Sequence, residues 1–333
     1  MRRSRAGLVA ALLLVALGIP ARGAGPDDRI AVLPLANLTG EKSFYWLGEA
    51  FAEGVSDQLL AAGMAVVPPA RRRGAARELG LAPDRASTLA SDILLARRLN
   101  ASLLVVGEVR WEESRHLRIE GRILRADAPS IDEPIVLRGE LNDLYKMQKQ
   151  LAHLLLPTAR GRNAQAQIAP LAALTDVPLS SFEAYIKAVT ASDRPAREAF
   201  LDRSLAADPS FAPALIARAR LDLDDGKARE ARLWLDRIAV ERMAFPERYW
   251  LARGDTAAAR GDRGSAFDLY GKALALRDWP LAHFHMAAVL AQQGKLLDAR
   301  QQVEAGLLAD PSHPLGIELR EALTHSHTGE TPS

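Results

Sequence analysis

Gly261-Asp262-Arg263-Gly264-Ser265-Ala266-Phe267-Asp268-Leu269-Tyr270-Gly271-Lys272-Ala273-Leu274 is the stretch that decides the fold of the C-terminal half. Its glycine can end a helix, because it tolerates a positive φ. Five residues later stands Ala266, small enough for a second helix to lie close against the first; Tyr270 and Ala273 follow at helical spacing. The pattern recurs on both sides. Gly226 precedes Ala231 and Gly294 precedes Ala299 by the same five residues, and the glycines are separated by 35 and then 33 residues. Asp208-Pro209 and Asp310-Pro311 close the first and last copies. A repeat of this length, with one glycine turn in its middle, is a helix pair that covers its apolar face only by stacking on a neighbour.

These marks resemble the tetratricopeptide repeat. Four units fit over residues 179–312, the first weaker because Arg197 stands where alanine is usual, followed by a short capping helix near 315–324 and a polar tail from 325 to 333. The resemblance implies a curved array whose first helices line a groove for a peptide or a partner helix. Aligning the glycines places Ile216, Arg220, Leu251, Asp255, Phe284 and Gln292 near that groove. Arg218 and Arg253 fall at one equivalent position where an apolar residue is usual. Asp222 lies four residues after Arg218, so an ion pair on one helix face is the preferred reading; arginines aimed at an acidic ligand are the alternative.

Working toward the N-terminus, residues 158–178 are rich in Ala, Pro, Gln and Gly and read as a linker. Before them, Arg29–Leu35 reads as a buried strand. A helix is expected over about 44–62, with Leu47, Phe51, Val55 and Leu59 toward the core. Gly63 ends it; a second strand covers 64–67, and helical material runs through 71–79 and 87–99. Strands are expected over 102–112, 116–125 and 134–141. Leu117, Ile119, Gly121 and Ile123 alternate with Arg118, Glu120 and Arg122, the mark of an antiparallel strand with one wet face. A helix over 142–156 closes the unit. The expected fold is an α+β domain with a mixed sheet over residues 25–157, followed by an all-α repeat superhelix over 179–324. The "AVLP" strand, the Asn37-Leu38-Thr39-Gly40 turn, Gly48 and the run Ala96-Arg97-Arg98-Leu99-Asn100-Ala101-Ser102-Leu103-Leu104-Val105-Val106-Gly107-Glu108-Val109 resemble the TolB-like amino-terminal domain, with FlgO and CsgG-like envelope domains similar to it. That resemblance covers about 100 residues and implies a partner-binding module often set ahead of tetratricopeptide repeats.

Residues 1–24 read as a secretory signal: Arg2, Arg3 and Arg5, then the apolar run Ala6–Ile19, then small residues around Ala21–Ala24. The apolar run is shorter than the ~20 residues that a spanning helix needs. The full chain has 43 Lys+Arg against 41 Asp+Glu; the leader holds four arginines and no acid, which leaves 39 against 41. This balance argues against a nucleic-acid partner. The absence of cysteine excludes a disulfide, a thiolate metal site and a lipidated N-terminus.

No residue spacing supports catalysis. None of the seven histidines forms an H-E-x-x-H pair. Asp222-Leu223-Asp224-Asp225-Gly226 misses the calcium-loop register, and Gly264–Lys272 has the wrong spacing for a phosphate loop. Arg71, Arg72, Arg73 and Arg77 form the densest basic patch, either a solvated helix face or a site for an anionic polymer. The expectation is a non-enzymatic, periplasmic or otherwise exported envelope scaffold that binds a protein or peptide, without cofactor or metal. The alternative is an extracytoplasmic sensory or regulatory module, like those of adenylate-cyclase- or regulator-type proteins, anchored by an uncleaved N-terminal helix.

Overall fold

A computed structural model describes residues 29–81, 88–112, 116–127, 130–160 and 177–328. The expected signal segment and most of the expected linker lie outside the described residues. The α+β domain carries β1 (Arg29–Val32), β2 (Ala36–Asn37), α1 (Leu47–Ala61), β3 (Ala65–Val66), α2 (Pro69–Glu78), α3 (Leu89–Leu99), β4 (Leu103–Trp111), β5 (Leu117–Arg125), β6 (Ser130–Ile131), β7 (Ile135–Gly139) and α4 (Leu144–Arg160). The sheet runs β3-β1-β4-β5, with β2 beside β4 and both β6 and β7 beside β5. β1, β2, β3 and β4 are parallel where they pair; β5 is antiparallel to β4 and β7.

Topology fixes the layers. The step from β1 to β3 goes one way along the sheet, and the step from β3 to β4 returns across β1. Crossovers of one hand therefore put their helices on opposite faces. One face buries Ile30, Val32, Leu103, Val105, Ile119 and Ile123 under α1 and α4. The other buries Ala31, Leu33, Leu104 and Leu124 under α2 and α3. Leu47, Phe51, Val55 and Leu59 of α1 are each fully buried, as their fourfold spacing requires. α4 continues four residues past the expected end, through Pro157 to Arg160; burial of Leu155, Leu156 and Ala159 holds this last turn against the lost proline donor.

Four helix pairs follow: α5 (Leu179–Thr190) with α6 (Arg194–Ala207), α7 (Ala212–Asp224) with α8 (Ala228–Leu235), α9 (Pro246–Ala259) with α10 (Arg263–Leu276), and α11 (Pro280–Gln292) with α12 (Leu296–Ala309). α13 (Pro314–Thr328) caps them and reaches into the segment expected to be a tail. Gly226, Gly261 and Gly294 turn the chain at φ of 73°, 78° and 77°. Each turn closes identically: Gly261 N–H donates to Ala258 O (2.9 Å) and Asp262 N–H to Ala257 O (3.0 Å), which satisfies the last carbonyls of the helix. The first pair lacks the glycine; Asp193 caps α6 instead through Ala196 N–H (2.8 Å), and buried Ser181 and Ser204 bond across the pair. Ala231, Ala266 and Ala299 are fully buried between paired helices.

Two glycines separate shape from backbone freedom. A Cβ at Gly48 would sit 2.1 Å from Leu35 O, so α1 and the chain after β1 touch backbone to backbone. A Cβ at Gly261 would meet nothing, and only its positive φ resists substitution. Gly261→Ala is expected to cost about 1–2 kcal/mol. Gly48→Ala must move α1 and should cost about 3 kcal/mol or more. Urea unfolding of the two variants checks the order; equal losses would contradict it.

Candidate functional site where the repeats meet the α+β domain

Charge spacing on α1 builds the junction. Glu49, Glu53 and Asp57 recur every four residues and share one side of the helix. Pro68 and Pro69 start α2, so Arg71, Arg72 and Arg73 leave its first turns in three directions. Arg72 donates to Glu49 Oε1 at 2.5 Å, and both side chains are buried. Arg73 donates to the same oxygen at 2.6 Å and also pairs with Glu53. Arg71 instead reaches the far end of the repeats and donates to Ser312 O at 2.8 Å. Arg71, Arg72 and Arg73 are therefore neither a solvated face nor an open anion site, while Arg77 alone of the patch is exposed. The three are spent inside the chain, as burial of charge demands.

The repeats complete this network. Phe182 and Ile186 of α5 lie in the same buried cluster as α1 and α4, and the Phe182 ring meets Tyr145 of α4 at 5.2 Å. Arg248 of α9 pairs with Asp57, donating at 2.6 and 3.3 Å to its two oxygens. At the turn before α13, Asp310 accepts from Arg29 at 2.8 Å, and Arg98 reaches Ser312 O at 3.4 Å. The α+β domain thus touches the first unit, the third unit and the end of the fourth. On three of the four first helices no residue of 181–190, 246–258 or 280–291 is exposed, whereas α7 exposes Arg220 and Asp224. The second helices carry the exposed apolar residues, among them Leu233, Leu276, Leu297 and Leu308.

Environment shifts several of these groups. Burial pushes Glu49 up, but Arg72 and Arg73 outweigh it and hold the carboxyl below its usual range. Burial pushes Glu53 up, and neighbouring Glu49 and Asp57 keep it there despite Arg73. Burial also raises Asp310, yet Arg29 beside it draws the carboxyl below its ordinary value. His313, next to this pair, is pushed by burial down to about 4.

The groove residues expected from sequence fare differently. Leu251 and Phe284 come together, but inside the core of the third and fourth units, with no exposed surface; they offer a partner nothing in this conformation. Ile216 is half-buried in the adjoining cluster. Arg220 is exposed. Asp255 is half-buried and accepts from Tyr270 Oη (2.9 Å) and His285 Nδ1 (2.6 Å). Gln292 is exposed and accepts from Arg263. Glycine alignment gives position along a helix but not rotation about it, which is why one equivalent position, Ile216, Leu251 and Phe284, turned out to point inward. Arg218 and Arg253 each reach back to the preceding unit: Arg218 pairs with Glu198 (2.6 Å) on α6 and with Asp222 (3.4 Å), and Arg253 with Asp236 just after α8. They stitch successive units together. The equivalent residue of the fourth unit is Met286, which is buried.

No family model and no curated protein matches this chain. Among solved structures it is similar to the LpoB C-terminal domain from Salmonella enterica, with 14% identity over 36% of this chain and 87% of that one, at a TM-score of 0.27. An overlap this loose assigns neither fold nor function.

His313 gives the junction a pH dependence. The unfolded chain takes up the imidazole proton near its ordinary 6.5 and the folded chain only near 4, so between these values the unfolded state binds more protons. Stability is full above about pH 6.5 and falls toward pH 4. Asp310 loses its contribution only lower, below its ordinary 3.8, and Glu53, with its raised value, acts with the opposite sign. The urea midpoint should therefore drop from pH 7 to pH 4.5, and His313→Gln should flatten that drop relative to the parent. A variant with the parental slope would remove His313 from the account.

Proposed function

We propose that this chain is a non-enzymatic scaffold of the bacterial envelope, exported by its N-terminal leader and binding a protein partner through its helical repeats. In this reading the repeats are tetratricopeptide units and the preceding domain is TolB-like. The observation that carries it is the stack itself: four successive helix pairs, the last three with one turn geometry, whose first helices make a common wall. Such arrays serve as extended binding surfaces. Described histidines of the wall support a structural role, since His283 braces Gln302 and Asp278, and His285 braces Asp255. Export rests on the basic and apolar pattern of residues 1–24.

Photo-crosslinking residues placed at exposed Arg220 and Gln292, at the rim of the wall, test the reading in the native host. Leu154 and Ile131, exposed on the α+β domain, serve as comparison sites. One discrete adduct from the repeat sites, on protein whose N-terminus begins near residue 25, is the expected result. Adducts from the α+β sites alone, or none, would contradict repeat-borne binding.

A further inference from the structure

Part of the wall that a partner would use is already filled. Its occupant is α1, an amphipathic helix that packs on Phe182, Tyr185 and Ile186 and brings Asp57 to Arg248, while Glu49 and Glu53, at the same fourfold spacing, are held by Arg72 and Arg73 of α2. The Tyr185 ring is half-buried against the same cluster, and burial and nearby Glu53 raise its phenol. Two ionic clamps hold the α+β domain to the third unit and to the end of the fourth: Asp57 of α1 with Arg248, and Asp310 with Arg29 and, at 3.9 Å, Arg71. Neither clamp belongs to the glycine and alanine packing that makes the stack.

We infer that the α+β domain is an intramolecular cap on the repeat wall, and that opening its two clamps exposes the wall to an acidic amphipathic helix supplied in trans. This rests on the repeat-borne binding proposed above. The chemistry of the incoming helix follows from what it replaces. It needs an apolar stripe for the Phe182 and Ile186 surface and a carboxylate for Arg248, whose guanidinium suits bidentate pairing. Affinity in the resting protein is lowered by the small fraction of molecules that are open, so loosening the clamps raises it without any new contact.

The test uses the full chain and a labelled synthetic peptide of residues 44–62 as the acidic helix. Asp57→Asn with Asp310→Asn removes one charge from each clamp. Asp57→Asn with Arg29→Gln repeats the opening while leaving the Asp310 turn intact, and circular dichroism confirms that helix content is kept. Either variant should show a larger radius of gyration in solution scattering and bind the peptide on the order of tenfold more tightly than the parent. Adding Arg248→Met should abolish the gain, and so should a peptide carrying Gln or Asn at 49, 53 and 57. Variants as compact as the parent, with the parent's peptide affinity, would overturn the cap while leaving repeat-borne binding standing. Variants that expand yet ignore the peptide would overturn the groove itself, and the cap's function with it.

Discussion

Burying a guanidinium without a carboxylate uses up a large part of a protein's margin of stability, and this constraint organises the centre of the molecule. Arg72 and Glu49 are both buried, and Arg73 bridges Glu49 to Glu53. Four residues further along α1, Asp57 carries the ladder out of the α+β domain to Arg248 of the repeats. Each charge is held because its neighbour on the ladder is held. Removing one partner of such a pair costs about 3–5 kcal/mol, whereas the intact pair adds little over an apolar substitute. The ladder is therefore better understood as a device for specifying how two domains meet than as a source of net stability.

Apolar packing supplies that stability. Phe182 and Ile186 of the first repeat helix belong to the core formed by α1, α4 and the sheet. The first unit is thus shared between the two domains, which fits its departure from the others: no glycine turn, and a buried serine pair in place of close-packed alanines. The later units are regular. There Gly254 lies against Tyr270, and Gly306 and Gly316 against Phe284, so that each large ring fills the space left by a missing side chain.

Local pattern made much of this legible. The periodicity of Leu47, Phe51, Val55 and Leu59, the alternation along 117–123 and the recurrence of Gly226, Gly261 and Gly294 each placed an element within a few residues of where it lies. What the pattern could not carry was rotation and distance. Leu251 and Phe284 sit at the expected height on their helices but face the core, and Arg218 and Arg253 face the preceding unit. The clamps were invisible because Asp57 and Arg248 are 191 residues apart, and Arg29 and Asp310 are 281 apart. The three consecutive arginines at 71–73 were the one local signal of the junction, and a run of like charge looks the same in sequence whether it faces water or a buried carboxylate.

The central claim is that, in the closed parent protein, α1 and α5 share one core and therefore unfold as one unit. Native-state hydrogen exchange measured across a series of low urea concentrations tests it most directly. Slow amides of α1 and α5 should converge on a single opening, with the same free energy and the same urea dependence. Amides of α5 that exchange through a separate, cheaper opening while α1 stays protected would show two independent domains and contradict the account.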